Sequence, residues 1–221
     1  MIRKVAVMFA LCLIAASAAQ AQDPKVEISG TAGWTFSDGV GGKSVTVPGV
    51  GTFDSIDPKD AFSWGVRLGI NLSPNVELGF LYDAQSTNLQ LEGTKSVEFG
   101  DVTIRNYHGY FAYNFGDSDA TVRPYVLGGV GATQYGSVSV NVGDTQRGID
   151  SSTKISSTWA LGLKAFPSPK FGIRLEGRWT PTYIKSDATG WWCDPYWGCY
   201  VTSDAQYSNQ FELSGGIILR F

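Results

Sequence analysis

From about residue 25 to its end, the chain alternates apolar and polar side chains with a period of two, which is the pattern of strands with two unlike faces. The first run sets Val26, Ile28, Gly30, Ala32, Trp34 and Phe36 against Glu27, Ser29, Thr31, Gly33 and Thr35. A later one sets Phe171, Ile173, Leu175, Gly177 and Trp179 against Gly172, Arg174, Glu176, Arg178 and Thr180. Eight such strands are predicted, at about 25–36, 61–72, 76–86, 101–115, 120–133, 156–166, 170–183 and 205–221. On the fourth, Tyr107, Phe111 and Tyr113 share one face, leaving His108 and Asn114 on the other.

The connections strictly alternate in length. Ser73 to Asn75, Gly116 to Asp119 and Pro167 to Pro169 are short, whereas 37–60, 87–100, 134–155 and 184–204 are long and rich in Gly, Ser and Asp. An antiparallel meander with all its long loops at one end has this form, as outer-membrane barrels do. A soluble lipocalin-like barrel shares the alternation with its apolar face turned inward. Three features turn this barrel the other way. The polar face carries Arg67, Glu77, Asp83, Arg174, Glu176, Arg178 and Glu212 in mid-strand. Aromatics such as Trp34, Phe36, Phe62, Trp64, Tyr113, Phe115, Phe171, Trp179 and Tyr183 cluster near strand ends on the apolar face, where membrane interfaces hold them. The chain also ends on a strand, at Phe221. The fold class expected is therefore all-β, an eight-stranded antiparallel up-and-down transmembrane barrel.

Arg3 and Lys4 precede an apolar run from Val5 to Ala16, which Ala19-Gln20-Ala21 closes with small residues. This is the layout of a secretory signal peptide over 1–21, cleaved before Gln22, with the barrel domain at 22–221. The run is short for a membrane anchor, and Cys12 follows the bulky Leu11, unlike a lipoprotein cysteine. No later segment stays apolar for about 18 residues, which excludes a helical inner-membrane protein. Loss of Arg3 and Lys4 takes the formal charge from −3 to −5. With no basic run, the chain offers a nucleic-acid backbone nothing to bind.

The last strand reads Ser214-x-Gly216-x-x-Leu219-x-Phe221, which resembles the assembly signal of bacterial outer-membrane proteins, with Leu219 where an aromatic is common. Val122 to Ala132 is similar to the Pro-Tyr-x-x-x-Gly-x-Gly stretch of one family, here on Pro124, Tyr125, Gly129 and Gly131. Over 22–221 the chain resembles the small outer-membrane β-barrels that include opacity-type proteins and OmpA-like transmembrane domains. The resemblance implies integral residence in the outer membrane with both termini periplasmic, among outer-membrane lipid and lipopolysaccharide. It also implies assembly by periplasmic chaperones and the barrel-insertion machinery. No peptidoglycan-binding domain is expected. The fold alone does not assign an activity.

Candidate chemistry is sparse. Cys193 and Cys199 lie in Trp191-Trp192-Cys193-Asp194-Pro195-Tyr196-Trp197-Gly198-Cys199-Tyr200. In an oxidising compartment a disulfide is the natural reading, worth roughly 2–3 kcal/mol in chain entropy; no further cysteine or histidine accompanies the pair as a metal site would need. The bridge would pin a surface tip whose Trp191, Trp192, Tyr196, Trp197 and Tyr200 either contact lipopolysaccharide or a partner, or fold onto the rim. His108 is the single histidine and lacks a His-x-Ser motif, since residue 110 is tyrosine, so a structural place in the lumen is expected. Asp54, Asp57 and Asp60 have loose metal-like spacing but suit a solvated loop. No catalytic, cofactor or metal site is assigned. Arg67, Glu77, Asp83, Arg174, Glu176, Arg178 and Glu212 read as a polar plug, because an eight-stranded barrel has room for side chains rather than a wide channel. The expectation is a non-enzymatic barrel with a structural or surface-interaction role. A narrow porin-like channel and a lipid A-modifying enzyme are the alternatives.

Overall fold

The computed structural model describes residues 25–38, 40–47, 51–93, 97–142, 145–149, 151–184, 193–194, 198–199 and 207–221, with side chains described outside 40–57, 90–99, 138–149 and 193–199. The expected signal peptide lies outside the described residues, as do Trp191, Trp192, Tyr196, Trp197 and Tyr200. In chain order the strands begin with β1 (Val26–Ser37), β2 (Val40–Val47), β3 (Gly51–Pro58), β4 (Ala61–Asn71), β5 (Val76–Gly93), β6 (Val97–Asn114) and β7 (Val122–Tyr135). They continue with β8 (Val138–Val142), β9 (Thr145–Ile149), β10 (Ser152–Ser168), β11 (Phe171–Tyr183), β12 (Cys193–Asp194), β13 (Gly198–Cys199) and β14 (Tyr207–Arg220).

Eight of these build the wall, in the circular order β1, β4, β5, β6, β7, β10, β11, β14. Every neighbouring pair is antiparallel, and β1 closes the ring by pairing with β4 on one side and β14 on the other. Glu27 thus stands opposite both Gly69 and Arg220, and Phe221 exchanges backbone hydrogen bonds with Val26 at 2.9 and 3.2 Å. A closed sheet leaves no unpaired edge facing lipid, which the hydrocarbon interior requires.

The eight expected strands coincide with the wall, but the long connections differ from the reading as loops. β5 and β6 run past the expected ends at 86 and 101 and remain paired to Leu91 and Val97. β2 and β3 form a hairpin laid on the upper part of β5, while β8–β9 and β12–β13 form separate two-stranded ladders. Backbone N–H and C=O groups above the wall still need partners, and continued ladders supply them. The Gly- and Ser-rich composition hid this, because it blurs the two-residue alternation.

At the opposite end the turns are tight. Leu72 donates its N–H to Val76 O at 2.8 Å, and Phe171 N–H reaches Ser168 Oγ at 3.1 Å. Gly116 sits at φ +83°, a left-handed conformation that favours glycine, and its carbonyl accepts Asn75 Nδ2 at 2.9 Å.

The two faces could hardly differ more. Val130 is 72% exposed, Leu161 70% and Leu213 63%, all in mid-wall and pointing outward. A continuous apolar exterior of this kind marks a membrane-facing surface. Rings meet along its margins: Trp64 edge-on to Tyr82 at 5.7 Å, Tyr82 tilted against Tyr107 at 5.2 Å and Trp179 stacked on Phe211 at 6.3 Å near one end, Tyr113 edge-on to Phe115 at 5.1 Å near the other. The buried positions are mainly polar and point into the barrel.

Candidate functional site

Because the strand period is two, every second residue of the wall enters the lumen, and the charges met there come both from neighbouring strands and from strands that do not touch. Nearest the short turns, Lys164 of β10 is shared by two carboxylates. Its Nζ donates to Glu27 Oε2 at 2.7 Å and to Glu77 Oε2. Glu27 also accepts Arg220 Nε at 3.0 Å and Nη2 at 2.9 Å. Arg220 lies over the Phe166 ring, 3.1 Å from its centroid. Arg174 faces the same cluster with Nη2 3.9 Å from Glu27 and its guanidinium 5.3 Å from the Tyr125 centroid.

One layer higher, Arg67 grips Glu176 with both terminal nitrogens, Nη1 at 2.5 Å, and Tyr125 donates its hydroxyl to the same carboxylate at 2.5 Å. Paired donors of this kind are the strongest arrangement open to an arginine. Towards the long-loop end, Arg178 bridges Glu212 at 2.5 Å and Asp83. Asn106 ties Asp83 at 2.8 Å to Gln210 at 3.1 Å. Beyond this layer Leu89, Val102, Ile104, Tyr135 and Ile184 are buried, with Ile104 and Tyr135 opposite one another in the ladder.

Glycines make two of these contacts feasible. A Cβ on Gly79 would stand 2.5 Å from the Tyr110 ring, and one on Gly162 would stand 2.7 Å from the Tyr125 ring. Each tyrosine lies against bare backbone, and its hydroxyl then reaches a carboxylate: Tyr110 to Glu77 at 2.6 Å, Tyr125 to Glu176 at 2.5 Å.

All seven lumen residues singled out from sequence point inward and are buried, and the fold joins Arg67 to Glu176 and Arg178 to Asp83 and Glu212. Glu77 pairs with Lys164, not with another of the seven. Glu27, Lys164, Arg220, Tyr110 and Tyr125 were not singled out as network members. Parity did carry the signal for Lys164, flanked by the outward Leu161, Leu163 and Trp159. His108 is fully buried in the lumen, with Nε2 2.9 Å from Ser156 Oγ. In the C-terminal motif Ser214 faces the lumen, while Leu219 and Phe221 face outward. Cys193 stands opposite Cys199 in the β12–β13 ladder, which is described by its backbone alone. Asp60 Oδ1 accepts Ser37 N–H at 3.2 Å, whereas the side chains of Asp54 and Asp57 lie outside the described residues.

A closed eight-stranded meander with a charged interior and an apolar, aromatic-belted exterior defines a transmembrane β-barrel. The chain belongs to the outer membrane protein beta-barrel domain family, whose model matches residues 5–212. It is an integral outer-membrane protein. Among solved structures it is similar to OprG from Pseudomonas aeruginosa, at 10% identity over 90% of this chain and 97% of that one, with a TM-score of 0.60. Neisserial surface protein A is 16% identical over 89% and 97%, with a TM-score of 0.52. The outer membrane protein AlkL is 15% identical over 91% and 93%, with a TM-score of 0.51. Such identities speak to fold alone. No curated protein sequence matches the chain.

Proposed function

We propose that this barrel is a non-enzymatic structural and surface-interaction protein whose lumen is sealed by its own side chains. The observation that carries the reading is the set of ion pairs spanning the interior: Lys164 to Glu27 and Glu77, Arg67 to Glu176, and Arg178 to Asp83 and Glu212. A through-path would have to break them, and breaking a buried pair costs about 3–5 kcal/mol. The long-loop end is then the part available to a partner, and lipopolysaccharide surrounds it. Delivery by periplasmic chaperones and insertion by the barrel machinery belong to the same proposal.

His108 and Ser156 form a base–hydroxyl pair that a hydrolase would need. Two facts weigh against that use. Both groups are buried inside the wall, and His108 Nδ1 has no hydrogen-bond partner among the described residues, so no carboxylate orients the ring.

Planar-bilayer recording of the folded protein tests the seal. A baseline without steady openings is expected, and sustained ion-selective openings would favour the narrow-channel alternative. Mass spectrometry of lipid A from cells with and without the protein tests the non-enzymatic reading. Identical acylation is expected; a missing acyl chain that returns on complementation would sink it.

A further inference from the structure

The outer face of β6 changes abruptly. Phe111, Gly109 and Tyr107 face outward in succession, and the next outward residue is Arg105, followed by Thr103 and Asp101. On β5 the same change follows Tyr82, with Ala84, Ser86 and Asn88 beyond it. A cleft of about 580 Å³ opens at this boundary, walled in part by Lys59, Asp60, Asn88, Asp101, Thr103 and Arg105. Its size lies within the usual range for small-molecule sites. Directly below stands the run of contacting rings Trp64, Tyr82 and Tyr107. Trp and Tyr clusters of this kind mark the level of lipid headgroups.

We propose that this cleft holds the phosphorylated sugar headgroup of an outer-leaflet lipid, with the phosphate on Arg105 and the sugar hydroxyls on Asn88, Thr103 and Asp101. The placement follows from height and charge. Arg105 is the cleft residue of β6 nearest the aromatic belt, and Asp101 lies four residues further out, about 13 Å along the strand. A phosphate on Arg105 therefore stands clear of that carboxylate, which is left to accept sugar O–H groups. Ala84 faces Arg105 across the ladder on one side and Trp64 on the other. Among the described residues Arg105 forms no ion pair.

A lipid is favoured over a free anion because of what surrounds the cleft. Lys59 and Arg105 are offset by Asp60 and Asp101, so no strong positive field gathers soluble anions. The apolar wall runs on beneath Arg105, where acyl chains of the same molecule would lie. The proposal names one partner for the surface role and rests on outer-membrane placement, not on the sealed lumen, so the conductance result does not decide it.

The test is native mass spectrometry of the folded full chain, titrated with phosphorylated lipid A, dephosphorylated lipid A or inorganic phosphate. One phosphorylated lipid A per barrel is expected. The other two probes should bind about tenfold more weakly or worse, the worth of one charge-assisted hydrogen bond. Arg105→Gln should weaken lipid binding by about the same factor, with Arg105→Lys restoring part of it. Asn88→Leu, which fills the cleft without changing its charge, should also weaken it, while Lys170→Gln at the short-turn end should not. Heat-modifiable mobility identifies the folded species for each variant. Equal binding of dephosphorylated lipid A, phosphate binding as tight as the lipid's, or undiminished binding by folded Arg105→Gln or Asn88→Leu would overturn the proposal.

Discussion

Replacing Lys164 with methionine removes the cation that two lumen carboxylates share. Methionine nearly matches the lysine stem in volume, so the change is electrostatic rather than steric. Glu27 and Glu77 are each 1% exposed, and without Nζ they face one another with no ammonium between them. Breaking a buried pair by deleting one partner costs about 3–5 kcal/mol. Part of this is recovered locally. Glu27 keeps Arg220 at 2.9 Å, and Arg174, 3.9 Å away, can close on it; Glu77 keeps the Tyr110 hydroxyl at 2.6 Å. One new charge-assisted hydrogen bond is worth about 1.5–3 kcal/mol, so a net loss of about 1.5–2 kcal/mol is expected. The assay is reversible urea unfolding of the barrel in lipid vesicles, followed by tryptophan fluorescence. In a double-mutant cycle with Glu77→Gln, the second change should cost little once the first is made, giving a coupling of about 1–3 kcal/mol. A loss below about 1 kcal/mol, or coupling near zero, would refute the claim that Lys164 holds the two acids together.

Gly79→Ala should displace the Tyr110 ring, since the new Cβ would stand 2.5 Å from it and closer still to the Leu68 carbonyl oxygen, and cost about 1–3 kcal/mol in the same unfolding assay. An unchanged midpoint would show that the ring does not depend on bare backbone. Deleting Phe221 removes its two backbone hydrogen bonds to Val26 and an outward aromatic, so the heat-modifiable fraction in the outer membrane should fall while export continues. Unchanged folded yield would show that the terminal residue is no insertion signal here. Replacing Cys193 and Cys199 with serine should leave the barrel folded, because among the described residues β12 and β13 pair only with each other. Protease added to intact cells should then cut within 191–200 faster than in the parent and before the turns at 72–75 and 169–170; first cleavage at either turn would invert the orientation.

Much of the molecule is legible in its sequence. Strict alternation in Phe171–Tyr183 told which residues face inward, and charges on that face left only an inside-out barrel. Alternating long and short connections told the order of crossings, and the wall follows it. Parity is a local property of a strand, so it could assign Arg67, Glu176 and Lys164 to the lumen without further help. It could not say which of them meet. Arg67 and Glu176 are 109 residues apart and three strands apart around the ring, and Glu27 and Arg220 are 193 residues apart yet directly opposed. Those partnerships depend on how far each strand slides past its neighbour before the sheet closes, and an error of two residues would keep every side chain on its face while changing every pair. Compartment and facing were thus set by short-range chemistry in the sequence. The ion pairs, the tyrosine rings laid on glycine and the cleft beside Arg105 were decided only when closure of the barrel fixed one register for all eight strands at once.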